Sequence, residues 1–426
     1  MTQDIVECTV GIDWGNEFHQ VCVLDVRGEC RGERQFPQSA AGLTELVTWL
    51  REQTGLAAGQ IRVAIERPHG PVVEVLLQHE FQVYHINPKQ LGRFRDRHTV
   101  AGAKDDRRDA FVLADSLRTD RGAFTALQSG DPTLVQLRGL LRIDEDLRTE
   151  ENVLTNRLRE LLQRYFPAML SLIANRADPF LWSLLELAPT PQKAAGLSLT
   201  KIGALLKEHR VRRHSAVEVQ TALQSVPLAV SEATIAAASF HVGLLIPGLR
   251  LVHQQRRLCS GRLEEFLAQL ESPEPVEHHK SSGRSCKHPD PTILASLPGV
   301  GRMVLATLLV EAAGPIAGRD LAGLRALGGI APVTKRSGKR NLQVMRRACN
   351  TRLRYAFYHW GRTATQRDSH AKHHYAQLRQ KGHSHGRALR GVVDRLLSVA
   401  VAMLKQDTCY DPARRQRTKV VLAAHE

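Results

Sequence analysis

The sequence of 426 residues lacks several features that define whole classes of proteins. Its seven cysteines are scattered and none forms a Cys-x-x-Cys pair, which argues against a disulfide framework and against a cysteine-ligated zinc site. The opening MTQDIVECTV lacks the basic and apolar regions of a signal peptide, and we identify no apolar run long enough to span a bilayer. We therefore expect a cytoplasmic protein in a reducing compartment, with no membrane partner.

Positive charge is what the sequence has in excess. Lysine and arginine number 59 against 43 aspartates and glutamates, which gives a formal net charge of +16. This excess predicts a polyanionic partner, DNA or RNA, although any basic soluble protein would show the same totals. The length predicts two or three domains, and a hydrophobic content of 42% is ample for their cores.

Residues 1–125 alternate between strand-like and helix-like segments. The predicted order is three strands, helix, strand, helix, strand and helix, at residues 9–13, 20–26, 30–36, 40–53, 61–66, 71–79, 81–86 and from 106 onward. Three strands in hairpin order followed by alternating helices and strands predict a mixed α/β sheet.

Four acidic residues stand where such a sheet would bring them together. Asp13 and Glu66 each end an apolar strand, and open α/β sheets bind their ligands at the carboxyl ends of strands. Asp106 and Asp109 lie three residues apart on one face of the last helix, although a helix N-terminus alone would also favour them there. Four converging carboxylates need cations, and two Mg²⁺ ions, or Mn²⁺ in their place, would form a phosphoryl-transfer centre.

The middle of the chain, residues 126–275, is predicted to be helical. Two apolar series follow a seven-residue repeat, namely Leu137, Leu140, Leu147, Leu154, Leu158 and Leu161, and then Leu245, Leu249, Val252, Cys259, Leu263, Phe266 and Leu270. They predict two long helices of coiled-coil type, paired within one chain or between chains, or else ordinary helical core stripes. Pro247 suggests a kink in the second helix or a start there. The sequence assigns no role to residues 166–235, although a basic cluster at 207–214 suits phosphate contacts or a solvated helix face.

A C-terminal domain is predicted at residues 291–410, after a Pro- and Ser-containing linker at 276–290. It opens with Pro298-Gly299-Val300-Gly301 ahead of an apolar helix. This pattern is typical of a helix-hairpin-helix, in which Gly299 and Gly301 would let backbone N–H groups approach DNA phosphates. A helix cap with a structural turn would give the same pattern.

One hydroxyl group in this C-terminal domain is surrounded by cations. Ser337 stands on a Gly- and Pro-marked loop, flanked by Lys335, Arg336, Lys339 and Arg340. Such cations could hold a phosphate and lower the free energy of an alkoxide-like nucleophile. A basic DNA-contact loop without catalysis is the alternative, because phosphate contacts are the commonest use of such residues.

Histidines cluster between residues 370 and 385, at His370, His373, His374, His383 and His385. Their spacing invites a zinc site, but no cysteine or carboxylate completes the ligand set and basic neighbours would repel a cation. Nucleic-acid contact or a plain surface is the favoured interpretation. The rest of the domain predicts a closing apolar helix at 381–403, and residues 411–426 predict a basic tail.

The acidic residues Asp13, Glu66, Asp106 and Asp109, in that order, resemble the DEDD domain of a family of bacterial insertion-sequence transposases, the bridge-RNA-guided serine recombinases. The resemblance implies an RNase H-like (RuvC-like) fold. The family's Lys-Thr-Asp-x-x-Asp-Ala motif reads here as Lys104 to Ala110, with Asp105 in the place of threonine. Only Asp106 keeps the spacing to Asp109, so Asp106 is the predicted ligand. Residues 83–88 also resemble the family's strand-Asn-Pro element.

The C-terminal region is similar to the transposase domain of the same family. The shared pattern is Gly329, Pro332, Ser337, Gly338, Asn350, Leu353 and Arg354, with Cys349 where the family has glycine. The resemblance implies that Ser337 attacks a DNA phosphodiester and becomes covalently linked to DNA. It also implies nucleic-acid contacts from Lys104, Arg354 and the cations around Ser337.

The resemblance as a whole implies an RNA-guided DNA recombinase of an insertion sequence. Its partners would be donor DNA, target DNA and a structured non-coding guide RNA. It would be a homo-oligomer, a dimer that forms a tetramer in the synaptic complex, associated with the nucleoid. The predicted architecture is the RNase H-like domain, a coiled-coil helical middle and a mostly helical transposase domain. The alternatives are a junction-specific nuclease that uses only the carboxylates, and a non-catalytic nucleic-acid-binding protein.

Overall fold

The computed structural model describes residues 8–98, 105–127, 131–172, 178–271, 289–337 and 340–412. The chain divides into two compact units, Met1–Asp131 and Pro132–Glu426. The predicted linker at 276–290 and the tail beyond residue 412 fall almost entirely outside the described residues. The domain limits drawn from sequence therefore stay a prediction.

The N-terminal unit contains a six-stranded mixed sheet. Its strands are β1 (Thr9–Asp13), β2 (Phe18–Leu24), β3 (Cys30–Pro37), β4 (Arg62–Ile65), β5 (Gln82–His85) and β6 (Thr125–Ala126). They lie in the order β3-β2-β1-β4-β5-β6. The first three are antiparallel neighbours, β4 and β5 run parallel to β1, and β6 is antiparallel to β5. This confirms the mixed α/β sheet predicted from the sequence.

In the described part of this unit, the sheet is accompanied by the α-helices α1 (Ala40–Thr54), α2 (Pro71–Gln78), α3 (Pro88–His98) and α4 (Asp106–Thr119). The apolar stripe of α1 shares a core with β1, β2, β4 and α2, whereas α4 packs on the other face against β1 and β2. Gly11 makes this close approach feasible, because a Cβ there would lie 1.9 Å from the carbonyl oxygen of Ala110. Helix α3 was not predicted from the sequence.

Two long helices, α5 (Pro132–Tyr165) and the later α10 (Glu232–Glu271), lie side by side in the second unit. Between them come α6 (Pro179–Leu187), α7 (Pro191–Ala195), α8 (Leu199–Glu208) and α9 (Ala216–Leu223). The long helices pair within one chain. Of the two expectations for Pro247, a kink or a helix start, the helix start was wrong, because the helix begins 15 residues earlier, at Glu232, and continues through the proline.

The long helices belong to two hydrophobic cores. Leu158 of α5 and Leu249 of α10 pack with α6 to α9, around the fully buried Phe180 and Trp182. Leu137 and Leu263, at the other ends of the pair, pack with the C-terminal helices. The helical middle thus shares a core with the C-terminal region, because each long helix has more apolar surface than its partner alone covers.

One helix in the described part of the chain is long and apolar enough to cross a membrane by length and composition alone. It spans Glu232–Leu270, its most apolar stretch has a mean hydropathy of 1.7, and 39% of that stretch is buried. The sequence-based statement that no run reaches this length was therefore wrong. The helix packs against α5 and contributes to both cores.

Among the described residues, the C-terminal region is mostly helical and contains one β-hairpin. Its elements are α11 (Asp290–Ala295), α12 (Arg302–Glu311), α13 (Ala313–Ala317), α14 (Leu321–Leu327), β7 (Val333–Ser337), β8 (Arg340–Val344), α15 (Thr351–Arg367), α16 (Ser369–Gln380) and α17 (His385–Gln406). The core holds Phe357 and Trp360 of α15 against the apolar face of α17. The closing apolar helix predicted at 381–403 corresponds to α17.

Candidate active site

Asp13 and Glu66 lie at the same edge of the N-terminal sheet. Asp13 is the last residue of β1, and Glu66 directly follows β4, its parallel neighbour. Ile12 pairs with Ile65 in this ladder, so the two acidic residues occupy equivalent positions just beyond the paired segment. The sheet therefore brings together the carboxylates that were predicted to converge.

Helix α4 brings the second acidic pair to Asp13. Asp105 is its N-cap and accepts a hydrogen bond from the backbone N–H of Arg107, 3.2 Å away, so this residue starts the helix. Asp109 is buried, with 2% exposure, whereas Asp106 is exposed. Besides burial, the charges of Asp109, Asp106 and Glu66 raise the pKa of Asp13, and that of Arg95 lowers it. This arrangement favours the predicted register, in which Asp106 rather than Asp105 belongs to the acidic group.

This carboxylate cluster, defined as Asp13, Glu66, Asp106 and Asp109, carries negative charges that Arg95 of α3 only partly offsets. Burial, and then the neighbouring carboxylates with Asp109 foremost, raise the pKa of Asp13 from 3.8 to about 7. Four acidic groups this near to one another are unfavourable when all are ionised. The cluster therefore favours either a proton on Asp13 or a cation among the carboxylates.

Arg95 of α3 supplies a cation to the cluster. Its guanidinium Nε lies 2.7 Å from Asp109 Oδ1, and another of its nitrogens lies 3.8 Å from Glu66 Oε2. In the described part of the chain, no group of three or more His, Cys, Asp or Glu side chains is arranged to hold a metal ion. The four carboxylates interact electrostatically, and Asp109 is paired with Arg95.

Sequence reasoning missed Arg95 because α3 reads PKQLGRFRDRH, with little apolar periodicity. The available signals were Leu91 and Phe94, spaced three apart, and Asn87, whose side chain accepts a hydrogen bond from the N–H of Lys89 at the helix start. Lys104, the basic residue predicted next to the acidic pair, lies outside the described residues.

Ser337 is the last residue of β7 and faces Arg340, the first residue of β8, across the hairpin. The prediction that Ser337 stands on a Gly- and Pro-marked loop was wrong, because Val333–Ser337 pairs as a strand. Lys335 and Arg336 are exposed. Gly338 and Lys339 lie outside the described residues, and the side chains of Ser337 and Arg340 are likewise not described.

The base of this hairpin is held by residues of the predicted C-terminal pattern. Asn350 caps α15 by accepting a hydrogen bond from the N–H of Leu353 at 3.0 Å, and its amide donates to Glu311 Oε2 at 2.6 Å. Glu311 also pairs with Arg142 of α5. Asn350 thus joins α12, α15 and, through Glu311, α5 at the point where the chain leaves the hairpin.

Gly329 and Arg354 also shape the hairpin base. Gly329 has a φ of +69°, and a Cβ there would lie 2.9 Å from the sulfur of Cys349, so the position requires glycine. The Arg354 guanidinium donates to the backbone carbonyls of Arg346 and Arg347, at 3.2 and 2.9 Å, and contacts the Cys349 thiol. Arg354 therefore organises the segment after β8; a contact from it to nucleic acid stays a prediction.

The predicted helix-hairpin-helix corresponds to α11, a turn and α12. Gly299 has a φ of +81°, and a Cβ there would lie 2.5 Å from the backbone nitrogen of Ala364 in α15. The Trp360 indole N–H donates to the carbonyl of Pro298 at 3.0 Å. Packing against α15 thus accounts for Gly299. Gly301 precedes α12, with no heavy atom of the described residues within 4 Å of its Cβ position, and it remains the more open candidate for a phosphate contact.

The histidines of α16 and α17 make contacts of other kinds. The His385 Nδ1 atom lies 2.8 Å from the Tyr375 hydroxyl, and His373 lies 3.0 Å from the Gln377 amide. In the basic cluster at 207–214, Arg213 forms an ion pair with Asp178 at 2.5 Å. Part of each basic segment is therefore engaged in contacts within the protein.

Comparison with known families follows the same division of the chain. The strand order and the acidic residues at its edge are consistent with an RNase H-like domain of the DEDD class. Residues 10–167 match the family model of IS110-type DEDD transposases, and residues 291–376 match the model of the transposase IS116/IS110/IS902 family. The chain belongs to the IS110/IS116 family of transposases, which places it among enzymes of DNA transposition.

Individual relatives agree with this assignment. The candidate mini-circle transposase for IS117 of Streptomyces coelicolor is 30% identical over 420 residues, which cover 97% of this chain and 98% of the relative. The candidate transposase y4uE of Sinorhizobium fredii is 50% identical over 210 residues, and this match spans 49% of this chain and 58% of the relative. The 43.6 kDa protein of insertion element IS110, also from Streptomyces coelicolor, is 26% identical over 427 residues, covering 97% of this chain and 98% of that protein.

Proposed function

We propose that this chain is an RNA-guided recombinase of an insertion sequence that cuts and rejoins DNA through a phosphoserine at Ser337, assisted by Mg²⁺ at the carboxylate cluster. The observation that supports it most is the convergence of four acidic charges at one edge of an RNase H-like sheet. Membership of a transposase family supports DNA as the substrate. The net charge of +16 supports binding of both DNA and a guide RNA, in the cytoplasm at the nucleoid.

The donor set of the carboxylate cluster fits a hard divalent cation in its chemistry. Carboxylate oxygens are the ligands that Mg²⁺ prefers, and Mn²⁺ accepts the same set. A bound metal would supply positive charge beside the reacting phosphate. The mutual repulsion that raises the pKa of Asp13 to about 7 is what a cation relieves. Arg95 would have to release Asp109 for that carboxylate to become a ligand.

Ser337 supplies the nucleophile in this proposal. Its hydroxyl oxygen forms a bond to the phosphorus of a DNA phosphodiester, the bond from that phosphorus to one DNA oxygen breaks, and the serine proton passes through solvent to the leaving oxygen. Attack by a DNA hydroxyl on the phosphoserine then restores the serine and joins the new strands. The cations Lys335, Arg336, Lys339 and Arg340 would stabilise negative charge on the phosphate.

A homo-oligomer is proposed because α10 exposes an apolar stripe that the described residues leave uncovered. Phe240, Leu244, Leu251 and Leu258 are 55–70% exposed. Their spacing of four, seven and seven residues places them on one helix face, as in a coiled-coil seam. Pairing of two copies along this stripe would give the dimer, and two dimers the synaptic tetramer.

This interface is tested by replacing Leu251 and Leu258 together with serine. We expect the dissociation constant of the dimer to rise about tenfold or more, because central apolar contacts carry most of the energy of an interface. Sedimentation velocity measures the change, and exposed Val217 of α9 replaced with serine is the control. An unchanged dimer would assign the stripe another role.

A junction-specific nuclease is the second candidate function, because all four carboxylates lie within the N-terminal unit. Ser337→Ala separates the two. The recombinase should lose both strand cleavage and the covalent protein–DNA adduct that survives denaturing electrophoresis, whereas the nuclease should keep cleavage. Ser384→Ala, at an exposed helix N-cap, is the matched control. RNA guidance is tested separately, since the purified chain should retain a structured transcript from DNA flanking its gene.

A further inference from the structure

A cavity of about 160 Å³ lies at the base of the β7–β8 hairpin, between α15 and α17. Its walls include Ile330, Phe357, Leu389 and Val393, and Met345 closes it one residue after β8. The volume is well below the roughly 300–1,000 Å³ of pockets for drug-sized ligands, so it suits a single ring system. Its contact with the segment that leaves β8 ties it to the hairpin that carries Ser337.

Two exposed tyrosines stand at this cavity. Tyr355 and Tyr358 are 68% and 40% exposed, and their spacing of three residues places them on one face of α15. The ring of Tyr358 also meets His385 edge-on at 6.2 Å, and His385 meets Tyr375 at 5.8 Å. Exposed aromatic faces next to an apolar slot are the form of a stacking site for a planar group.

The rim of the cavity carries positive charge without an opposite charge. Arg390 lines the cavity and Arg387 lies one helical turn before it, and neither forms an ion pair with a carboxylate of the described residues. The Arg354 Nε atom is buried with no hydrogen-bond partner there. Burial and the charges of Arg387 and Arg354 lower the pKa of Arg390. A bound anion would relieve this repulsion between neighbouring cations.

An apolar slot, aromatic rings and uncompensated arginines together match a nucleotide, which has a planar base and a phosphate. We propose that the cavity accepts one extrahelical base of a DNA strand bound at the hairpin, with the adjoining phosphate held by Arg387 and Arg390. A base inside a duplex cannot reach such a slot, so it must leave the stack.

This inference rests on the proposed binding of DNA at the hairpin but not on the chemistry of Ser337. The full-length Ser337→Ala variant can therefore serve as the parent protein, so that no cleavage accompanies binding. The probes are two DNA duplexes that differ at one bulged position, which holds adenine in one and an abasic sugar in the other. Their phosphates are identical, and the ratio of their affinities, measured by fluorescence anisotropy, isolates the base.

Tyr355→Ala in this parent should lower affinity for the adenine bulge about tenfold and leave affinity for the abasic bulge unchanged, since stacking depends on the base. Tyr355→Phe, which keeps the ring, should retain the preference, and equal melting temperatures of the variants verify folding. A bulged 2-aminopurine should lose fluorescence on binding to the parent but not to Tyr355→Ala. Equal losses on both duplexes, no loss at all, or the same base preference for an RNA bulge in place of DNA would overturn the assignment.

The outcome is independent of the proposed catalysis. If the original serine protein forms no covalent adduct, the phosphoserine mechanism fails while the bulge preference stands. If the adduct forms but the bulge preference is missing, the recombinase proposal stands and the nucleotide site fails.

Discussion

The carboxylate cluster and the serine hairpin are organised in opposite ways. The acidic residues follow strands inside a six-stranded sheet or lie on a capped helix, so the main chain fixes their positions. Ser337 ends one strand of a two-stranded hairpin, and such hairpins are marginally stable on their own. The first site is negative and favours a cation, whereas the second is positive and favours a phosphate.

The two sites differ in the contacts that hold their residues in position. The sheet and α4 hold the carboxylates together despite their repulsion, which together with burial raises the pKa of Asp13. The hairpin is fixed at its base by Asn350, Glu311 and Arg354, while Lys335 and Arg336 on its first strand are exposed. We therefore expect changes in the carboxylate cluster to affect chemistry through charge, and changes at the hairpin base to affect it through position.

The largest effect is expected from Asp106→Asn. Removing one charge from the predicted metal ligands should lower recombination on the order of 10²-fold or more, because electrostatic stabilisation of the reacting phosphate is lost. The readout is recombination of a cognate element in cells. Asp105→Asn is the matched control next to it, since asparagine caps helices as well as aspartate does. If Asp105→Asn were inactive and Asp106→Asn active, the assignment of Asp106 rather than Asp105 to the carboxylate cluster would be wrong.

Glu311→Ala tests the hairpin base. It leaves Arg142 and Asn350 without their shared acceptor, so we expect about 2 kcal/mol lower unfolding free energy, discounted because Arg142 is about one-third exposed. Recombination should fall about tenfold as Ser337 loses its position.

Glu145→Ala is the control for this change. Glu145 pairs with Arg352 at 2.7 Å, but both side chains are about 40% exposed, so its loss should be worth less than about 1 kcal/mol. Urea denaturation compares the two variants. Equal effects from both would mean that Glu311 has no special role at the hairpin base.

The position of the carboxylate cluster in the N-terminal unit was largely predictable from the sequence. Asp13 and Glu66 end apolar strands, and general rules of α/β sheets place such ends together. Arg95 escaped because α3 has no continuous apolar stripe to reveal it. The contact that joins Glu311 to Arg142 spans 169 positions in sequence, and no local pattern reports such a pairing.

The hairpin itself was misread for a local reason. Its strands, Val-Thr-Lys-Arg-Ser and Arg-Asn-Leu-Gln-Val, carry few apolar residues, and Pro332 and Gly338 suggest a loop. Pro247 misled in the opposite direction, since proline usually marks a helix start or break. The apolar, Ala-rich residues before it continue the helix, and packing against α5 outweighs the local preference.

The strain of the carboxylate cluster should appear as a dependence of stability on pH when no metal is present. The folded-state pKa of Asp13, about 7, is above its ordinary value of 3.8, so folding is favoured at low pH and loses stability as pH rises from about 4 to 7. We expect a loss of about 2 kcal/mol, allowing for solvent screening. Thermal melting in EDTA at pH 5 and pH 8 measures it.

Two additions identify the source of this pH dependence. Asp13→Asn should remove most of it, because the titrating group is gone. Mg²⁺ at pH 8 should restore stability to the original protein and much less to Asp13→Asn. A pH dependence that persists in Asp13→Asn would assign the strain to another group.

The smallest effect is expected at the exposed cations of the hairpin. Successive residues of a strand alternate between its faces, so position 335 shares a face with position 337 and position 336 does not. Lys335→Gln should therefore lower cleavage about threefold more than Arg336→Gln does, because position 335 is on the face of position 337. Both effects should be small, since salt screens exposed charges. Both should reduce the salt dependence of DNA binding by about one counterion, because each removes one phosphate contact. Equal cleavage by the two variants would show that the cations bind DNA in general and do not support Ser337 in particular.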